Sequence, residues 1–162
     1  MTLAADVVDA LRSANATVAT AESLTGGLLC ATLVSVSGAS DVVRGGIVAY
    51  APELKTQLLG VDARLIAEQG TVTPDVALGM AVGVRDRLGA TYGLATTGVA
   101  GPGPAEGKPA GTVHIAVAGP TETWTTRLDL AGDRDTIRRE TVDALLSWLV
   151  ARLGEESRSD RG

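Results

Sequence analysis

Apolar side chains recur along the chain with two different spacings, and the changes from one to the other mark out the elements. Leu3, Val7, Leu11 and Ala14 recur at helical spacing and predict a first helix over 3–14. Thr17–Thr20 is rich in β-branched residues and reads as a strand running into Ala21-Glu22-Ser23-Leu24-Thr25-Gly26-Gly27. Leu28–Val36 reads as a largely buried helix, broken by Gly38-Ala39-Ser40, and Gly46–Tyr50 as a strand. Pro52 opens a short helix through Leu59 that Gly60 closes, and Asp62 caps another to Gln69. Thr73-Pro74-Asp75 combines a capping hydroxyl, a first-turn proline and an acid. Val76, Met80, Val84 and Leu88 follow on one face before Gly89 stops the helix. Gly93–Thr97 is a buried strand leading into the loop Gly98–Gly107. Thr112–Ala118 and Glu122–Leu130 form a hairpin about Gly119-Pro120. Asp133 caps a final helix with Ile137, Leu145, Leu149 and Leu153 inward, and from Gly154 the polar tail is expected to fray.

Helices alternating with strands, then a hairpin, imply a sheet with parallel and antiparallel pairs and helices on both faces. The expectation is an α/β fold, a three-layer α/β/α sandwich with a mixed sheet, in one domain over 1–153 with a flexible tail at 154–162. The chain has 20 glycines, no phenylalanine and only two Trp and two Tyr, so alanine and valine must fill most of the core. Small side chains let helices come close to a sheet. A net charge of -5 and so few aromatics argue against a nucleic-acid binder. The charge-free stretches Ser23–Ser40 and Leu88–Ala105 are rich in Gly, Ser, Thr or Pro and do not read as membrane spans. The N-terminus, with Asp6 and Asp9 among its apolar residues, has neither the basic start nor the long apolar run of a signal peptide. A cytoplasmic protein is expected. One cysteine and one histidine exclude an internal disulfide and any multi-cysteine or clustered-histidine metal site.

Four places can carry chemistry. Ser23 stands between a strand end and a helix, where free N–H groups and the helix dipole favour a developing negative charge. It is either a nucleophile or simply the helix N-cap, and the glycines beside it offer a phosphate cradle as another reading. Lys55, in Tyr50-Ala51-Pro52-Glu53-Leu54-Lys55, is one of only two lysines among fourteen basic residues. An amine can act as a base when burial lowers its pKa, whereas a guanidinium cannot. The alternative is an ordinary solvated helix lysine. Tyr50 either relays a proton and holds the serine, or packs in the core. The loop from Thr97 and Gly98 to Pro104 follows a strand, as ligand loops do, but matches no phosphate-loop or dinucleotide fingerprint. Arg134 and Arg138 share one face of the last helix near its N-terminus. Either they meet an anion there, or Asp133, Asp135 and Glu140 neutralise them. Cys30 reads as inert core, and His114 is given no role.

In order and separation these segments resemble the CinA C-terminal domain family, the nicotinamide-nucleotide amidases. The resemblance covers about Leu3 to Leu153. It is carried by Ala21-Glu22-Ser23 with Thr25-Gly26-Gly27, Gly45-Gly46 through Tyr50 to Lys55, and Leu59-Gly60-Val61. Thr97-Gly98-Val99-Ala100-Gly101-Pro102, Lys108-Pro109-Ala110-Gly111-Thr112-Val113 and Gly132-Asp133-Arg134 continue it. The resemblance implies an α/β/α sandwich, a homo-oligomer, and a metal-independent amidohydrolase, so no metal and no cofactor is expected. That enzyme would convert nicotinamide mononucleotide and water to nicotinate mononucleotide and ammonia. It implies Ser23 as nucleophile, Lys55 as its base and Tyr50 assisting. Backbone N–H groups of Leu24, Thr25 and Gly26 would receive the oxyanion, Thr97 and Gly98 would contact substrate, and Arg134 with Arg138 would hold the phosphate. Leu24 stands where the family most often has cysteine, and the loop from Pro102 to Lys108 is shorter than usual. Only the amidase-like unit of full-length CinA proteins is expected in this chain. The competing readings are a non-catalytic nucleotide-binding regulator and an amidase for a different amide.

Overall fold

The computed structural model describes residues 1–162. Its elements are α1 (Leu3–Ser13), β1 (Val18–Glu22), α2 (Leu28–Val34), β2 (Val43–Val48), α3 (Pro52–Leu59), α4 (Ala63–Gln69) and α5 (Pro74–Leu88). They continue with β3 (Tyr92–Gly98), β4 (Thr112–Ala118), β5 (Thr123–Asp129) and α6 (Arg134–Ser159). One five-stranded sheet has the order β2-β1-β3-β4-β5. β1 pairs parallel with β2 and with β3, while β3–β4 and β4–β5 are antiparallel.

The caps foreseen in the sequence close the helices. Thr73 Oγ1 accepts from the Val76 N–H and Asp133 Oδ1 from the Thr136 N–H, while Gly60 and Gly89 end their helices in the left-handed conformation. Such caps contribute roughly 1 kcal/mol each.

The two sheet faces are built differently. Val18, Leu94, Val113, Ile115 and Val117 form one core with Val7, Val8 and Leu11 of α1 and Ile137, Leu145 and Leu149 of α6. On the other face the strands offer Ala19, Ala21, Ala95, Ala116 and Ala118 to Val76, Ala77, Met80, Ala81 and Val84 of α5. That alanine-lined face lets α5 lie almost on the backbone. A Cβ built on Gly93 would stand 2.0 Å from the Ala81 carbonyl oxygen. α3 meets α5 as closely: a Cβ on Gly83 would lie 1.9 Å from the Leu59 carbonyl oxygen. This approach fixes α3, and α3 carries Lys55.

Several boundaries shift by a residue or two from the sequence expectation, and three differences bear on the argument. β1 extends to Glu22, because its ladder to β3 continues to Thr96. β2 spans Val43–Val48, which leaves Tyr50 in the connection to α3. The expected fraying from Gly154 is corrected: α6 runs on to Ser159. Gly154 is not at a helix end, Glu156 accepts a hydrogen bond from the Tyr92 hydroxyl, and Arg161 bonds back to Ser157. Tertiary contacts of this kind override a mid-helix glycine, which costs only ~1 kcal/mol.

Candidate active site

β1 delivers Ser23 at the C-terminal edge of the parallel strands. The Ser23 N–H donates to the Thr96 carbonyl at 3.0 Å, which carries the β1–β3 ladder one residue further and fixes the backbone there. A turn follows, with Gly26 and Gly27 at φ +57 and +103, where larger residues are strained. Ser23 is not the helix cap. Gly27 occupies the N-cap position of α2, and the first-turn amides of Leu29 and Cys30 donate to the buried Glu22 carboxylate at 2.7 and 3.0 Å. The sequence reading had α2's own N–H groups converging on Ser23; Glu22 takes them instead. The Gly26 N–H is likewise committed, to the Ser23 carbonyl at 3.1 Å, whereas the Leu24 and Thr25 N–H groups make no hydrogen bond within the chain. Thr25 Oγ1 lies 2.8 Å from Thr96 Oγ1 and ties the turn to β3.

Lys55 comes from the first turns of α3 and is only 1% exposed. Its Nζ lies 2.9 Å from Ser23 Oγ, 2.8 Å from the Ala49 carbonyl oxygen and 3.3 Å from that of Tyr50. Lys55 forms no salt bridge. Carbonyl oxygens can only accept. A neutral amine in this position therefore turns both N–H groups to the carbonyls and its lone pair to the Ser23 hydroxyl. Burial lowers the Lys55 pKa to about 8, against opposing pulls from the Glu106 and Glu53 carboxylates. The neutral form is thus populated near physiological pH.

Tyr50 contributes its backbone, not its phenol, to this pair. The residue is 60% exposed and its hydroxyl accepts from Arg134 Nη2 at 3.1 Å. Arg134 Nη1 also donates to the Gly101 carbonyl at 2.6 Å. Arg138 donates from Nε to the Leu24 carbonyl at 2.9 Å and from Nη2 to that of Thr25 at 3.2 Å. Neither guanidinium pairs with an acid: Asp133 caps α6, and Asp135 lies beside Arg139. Both cations thus lack counter-charges: Arg138 borders the Ser23 turn, and Arg134 bridges Tyr50 and the Gly101 loop.

Thr97 is buried and its hydroxyl donates to the Thr71 carbonyl at 2.8 Å, which ties the end of β3 to the 70–72 segment. Gly98 is explained by packing, since a Cβ there would lie 2.8 Å from the Thr112 carbonyl oxygen. His114 is also buried, with an unpartnered Nδ1, and burial helped by Arg127 and Lys108 pushes its pKa down.

Sequence reasoning missed Glu22, Glu106 and Lys108. The Glu106 carboxylate accepts from the Thr71 N–H at 2.7 Å, the Thr71 hydroxyl at 3.1 Å and the Val72 N–H at 3.0 Å. Burial pushes its carboxyl up, but these bonds and the Lys108 charge outweigh it and hold the pKa below the ordinary value. Lys108 Nζ donates to the Val72 carbonyl at 2.6 Å. Glu-Gly flanked by Ala105 and Lys108 was the available signal, because a glycine second in a two-residue loop marks a tight hairpin. A cavity of about 1020 Å³, lined in part by Tyr92, Trp124 and Arg152, contains neither Ser23 nor Lys55. Chemistry, not volume, marks the site.

Comparison with known proteins fits this geometry. Residues 1–153 match the family model of the CinA C-terminal domain. The chain belongs to the CinA C-terminal domain family. A CinA-like protein of Frankia casuarinae is 55% identical over 147 residues, covering 91% of this chain and 34% of that protein. A putative competence-damage inducible protein of Desulforamulus reducens is 47% identical over 136 residues, covering 84% and 33%. The chain thus spans about a third of the length of these curated relatives. Among solved CinA structures, the competence damage-inducible protein A of Klebsiella pneumoniae superposes with a TM-score of 0.92 at 34% identity, covering 94% of this chain and 95% of that one. The competence/damage inducible protein of Agrobacterium tumefaciens gives 0.89 at 35% identity, covering 94% and 93%. The mixed sheet between two helical layers is therefore the CinA fold. No helix is long and apolar enough to cross a membrane.

Proposed function

We propose that this CinA domain is a metal-independent amidohydrolase that converts nicotinamide mononucleotide and water to nicotinate mononucleotide and ammonia. The single observation that carries the reading is the Ser23–Lys55 pair, in which two carbonyls hold the amine N–H groups and leave its lone pair for the hydroxyl.

Ser23 Oγ attacks the carboxamide carbon while Lys55 Nζ takes the hydroxyl proton. The carbonyl oxygen becomes an oxyanion, received by the Leu24 and Thr25 N–H groups. The Lys55 ammonium then gives its proton to the amide nitrogen, the C–N bond breaks, and ammonia leaves an ester on Ser23. Water attacks that ester as Lys55 takes a proton from it. The second tetrahedral adduct collapses, Lys55 returns the proton to Ser23 Oγ, and the acid formed loses its remaining proton to water and departs as the carboxylate. Arg134 and Arg138 hold the phosphate at the rim, with Tyr50 orienting Arg134. Binding energy gained there orients the distant carboxamide.

The test is ammonia release by purified protein from a panel of amides: nicotinamide mononucleotide, nicotinamide riboside, free nicotinamide and unrelated aliphatic amides. Selective turnover of the phosphorylated nucleotide is expected. Tight binding of the nucleotide with no ammonia would replace the enzyme with a nucleotide-binding regulator, and turnover of another amide alone would replace the substrate.

A further inference from the structure

Glu106 holds a backbone conformation that glutamate rarely adopts. Ala105 and Lys108 exchange both backbone hydrogen bonds, at 3.0 and 2.9 Å, and between them Glu106 and Gly107 lie at φ +53 and +72. The first central position of such a turn favours Asn, Asp or Gly. A strained residue of this kind persists only where its surroundings over-determine it. Here the restraint is the carboxylate clasp on Thr71 and Val72. Gly70, at φ +80, makes room for it: a Cβ there would stand 2.7 Å from Glu106 Oε1.

The clasp leads directly to the hydrolytic pair. The Thr71 carbonyl accepts from Thr97, and the neighbouring Thr96 carbonyl holds the Ser23 amide. The charged groups around Lys55 are few. Glu53 lies on its own helix and Glu106 is joined to the site through Thr71 and Thr97. The negative charge of each opposes the lowering of the Lys55 pKa. Lys108 sits beside Glu106, the Glu22 carboxylate is committed to α2, and Arg134 and Arg138 lie beyond Tyr50 and Leu24. No carboxylate touches the amine. A direct ion pair would lock Lys55 as an ammonium. A carboxylate at a distance, already saturated by hydrogen bonds, favours the proton without trapping it.

We propose that Glu106 is a positioning residue of the hydrolytic site: the 105–108 turn holds its carboxylate against the 70–72 segment, so that a fixed negative charge faces the amine that becomes an ammonium during catalysis. The inference rests on reading Lys55 as the base.

Lys55 and Lys108 are the only lysines, so selective 13Cε labelling gives two NMR signals to follow against pH. In Glu106→Gln the Lys55 midpoint is expected to fall by on the order of half a pH unit. Glu106→Asp keeps the charge and should restore most of that shift, while Glu122→Gln, on the β4–β5 hairpin, should leave the midpoint alone. Glu106→Ala carries the same expectation as Glu106→Gln, so the test does not depend on one variant folding. With nicotinamide mononucleotide, the acidic limb of kcat/KM should move with the midpoint and the alkaline plateau should drop, because the base is weaker. An unmoved or raised midpoint in Glu106→Gln and Glu106→Ala overturns the proposal. The NMR titration needs no turnover, so failure of wild-type protein to release ammonia defeats the hydrolase reading separately.

Discussion

Lys55 Nζ and Ser23 Oγ stand 2.9 Å apart although the residues are separated by 32 positions in the chain. The same heavy-atom arrangement serves both protonation states. As an ammonium, Lys55 donates to the Ala49 and Tyr50 carbonyls and to Ser23 Oγ; as an amine, it keeps the two carbonyls and accepts from the hydroxyl. A proton can therefore pass between them without rearrangement, which is the preorganisation that lowers a barrier.

Ser23→Ala and Lys55→Arg should each reduce ammonia release by ~10³-fold or more while leaving the fold intact. Arginine keeps the positive charge and loses the titratable lone pair, so it separates basicity from charge. Circular dichroism alongside the ammonia assay checks both variants. Lys55→Arg at wild-type rate would remove Lys55 from the mechanism.

The rate should depend on pH through the same amine. Because only neutral Lys55 accepts the Ser23 proton, kcat/KM should rise tenfold per unit below a pKa of about 8 and level off above it. A profile flat from pH 6 to 9 would contradict the assignment.

Stability should show the opposite side of this shift. The folded pKa of about 8 lies below the value of 10.5 for a free lysine, so the unfolded chain binds the proton more tightly. Lys55 therefore opposes folding fully below pH 8, and the penalty is relieved as pH rises toward 10.5. Lys55→Met should stabilise the inactive protein by about 1–2 kcal/mol at neutral pH, after the loss of the carbonyl hydrogen bonds. Denaturant titrations at several pH values should show the gain shrinking as pH rises; a gain that grows would refute it.

Arg134→Ala should raise KM for the phosphorylated nucleotide roughly 10–100-fold and change turnover of the unphosphorylated nucleoside much less. Arg138→Ala should do the same and also loosen the Ser23 turn, since Arg138 holds the Leu24 and Thr25 carbonyls. Steady-state kinetics on the matched pair of substrates measure this. Equal losses on both would mean that the guanidiniums serve only the fold.

Gly93→Ala offers a test of how closely α5 packs on the sheet. The new Cβ would fall 2.0 Å from the Ala81 carbonyl oxygen, so α5 must move away from the sheet. A loss of about 2–3 kcal/mol is expected in denaturant unfolding. An unchanged midpoint would show that α5 has slack on this face.

Much of this was readable along the chain. Thr73-Pro74 and Asp133 announce their helices because capping is chemistry between residues three apart. Ser23 stands out by its place between a strand end and a helix, and Lys55 as one of two lysines among fourteen basic residues. Tyr50 was harder. Its place at the end of a β-branched run says nothing of where the ring turns, and the partner of its hydroxyl, Arg134, is 84 residues away. Glu106 was invisible for the same reason, since its meaning depends on Thr71 and Val72.

Local order, the alternation of strand and helix, the alanine-rich face and the shortlist of reactive groups all follow from neighbours within a few positions, where capping, periodicity and side-chain size act. The burial that lowers the Lys55 pKa, the capture of α2's amides by Glu22, and the two guanidiniums without counter-charges arise from contacts between residues remote in the chain. Desolvation and electrostatics depend on what surrounds a group in space, and only folding decides that.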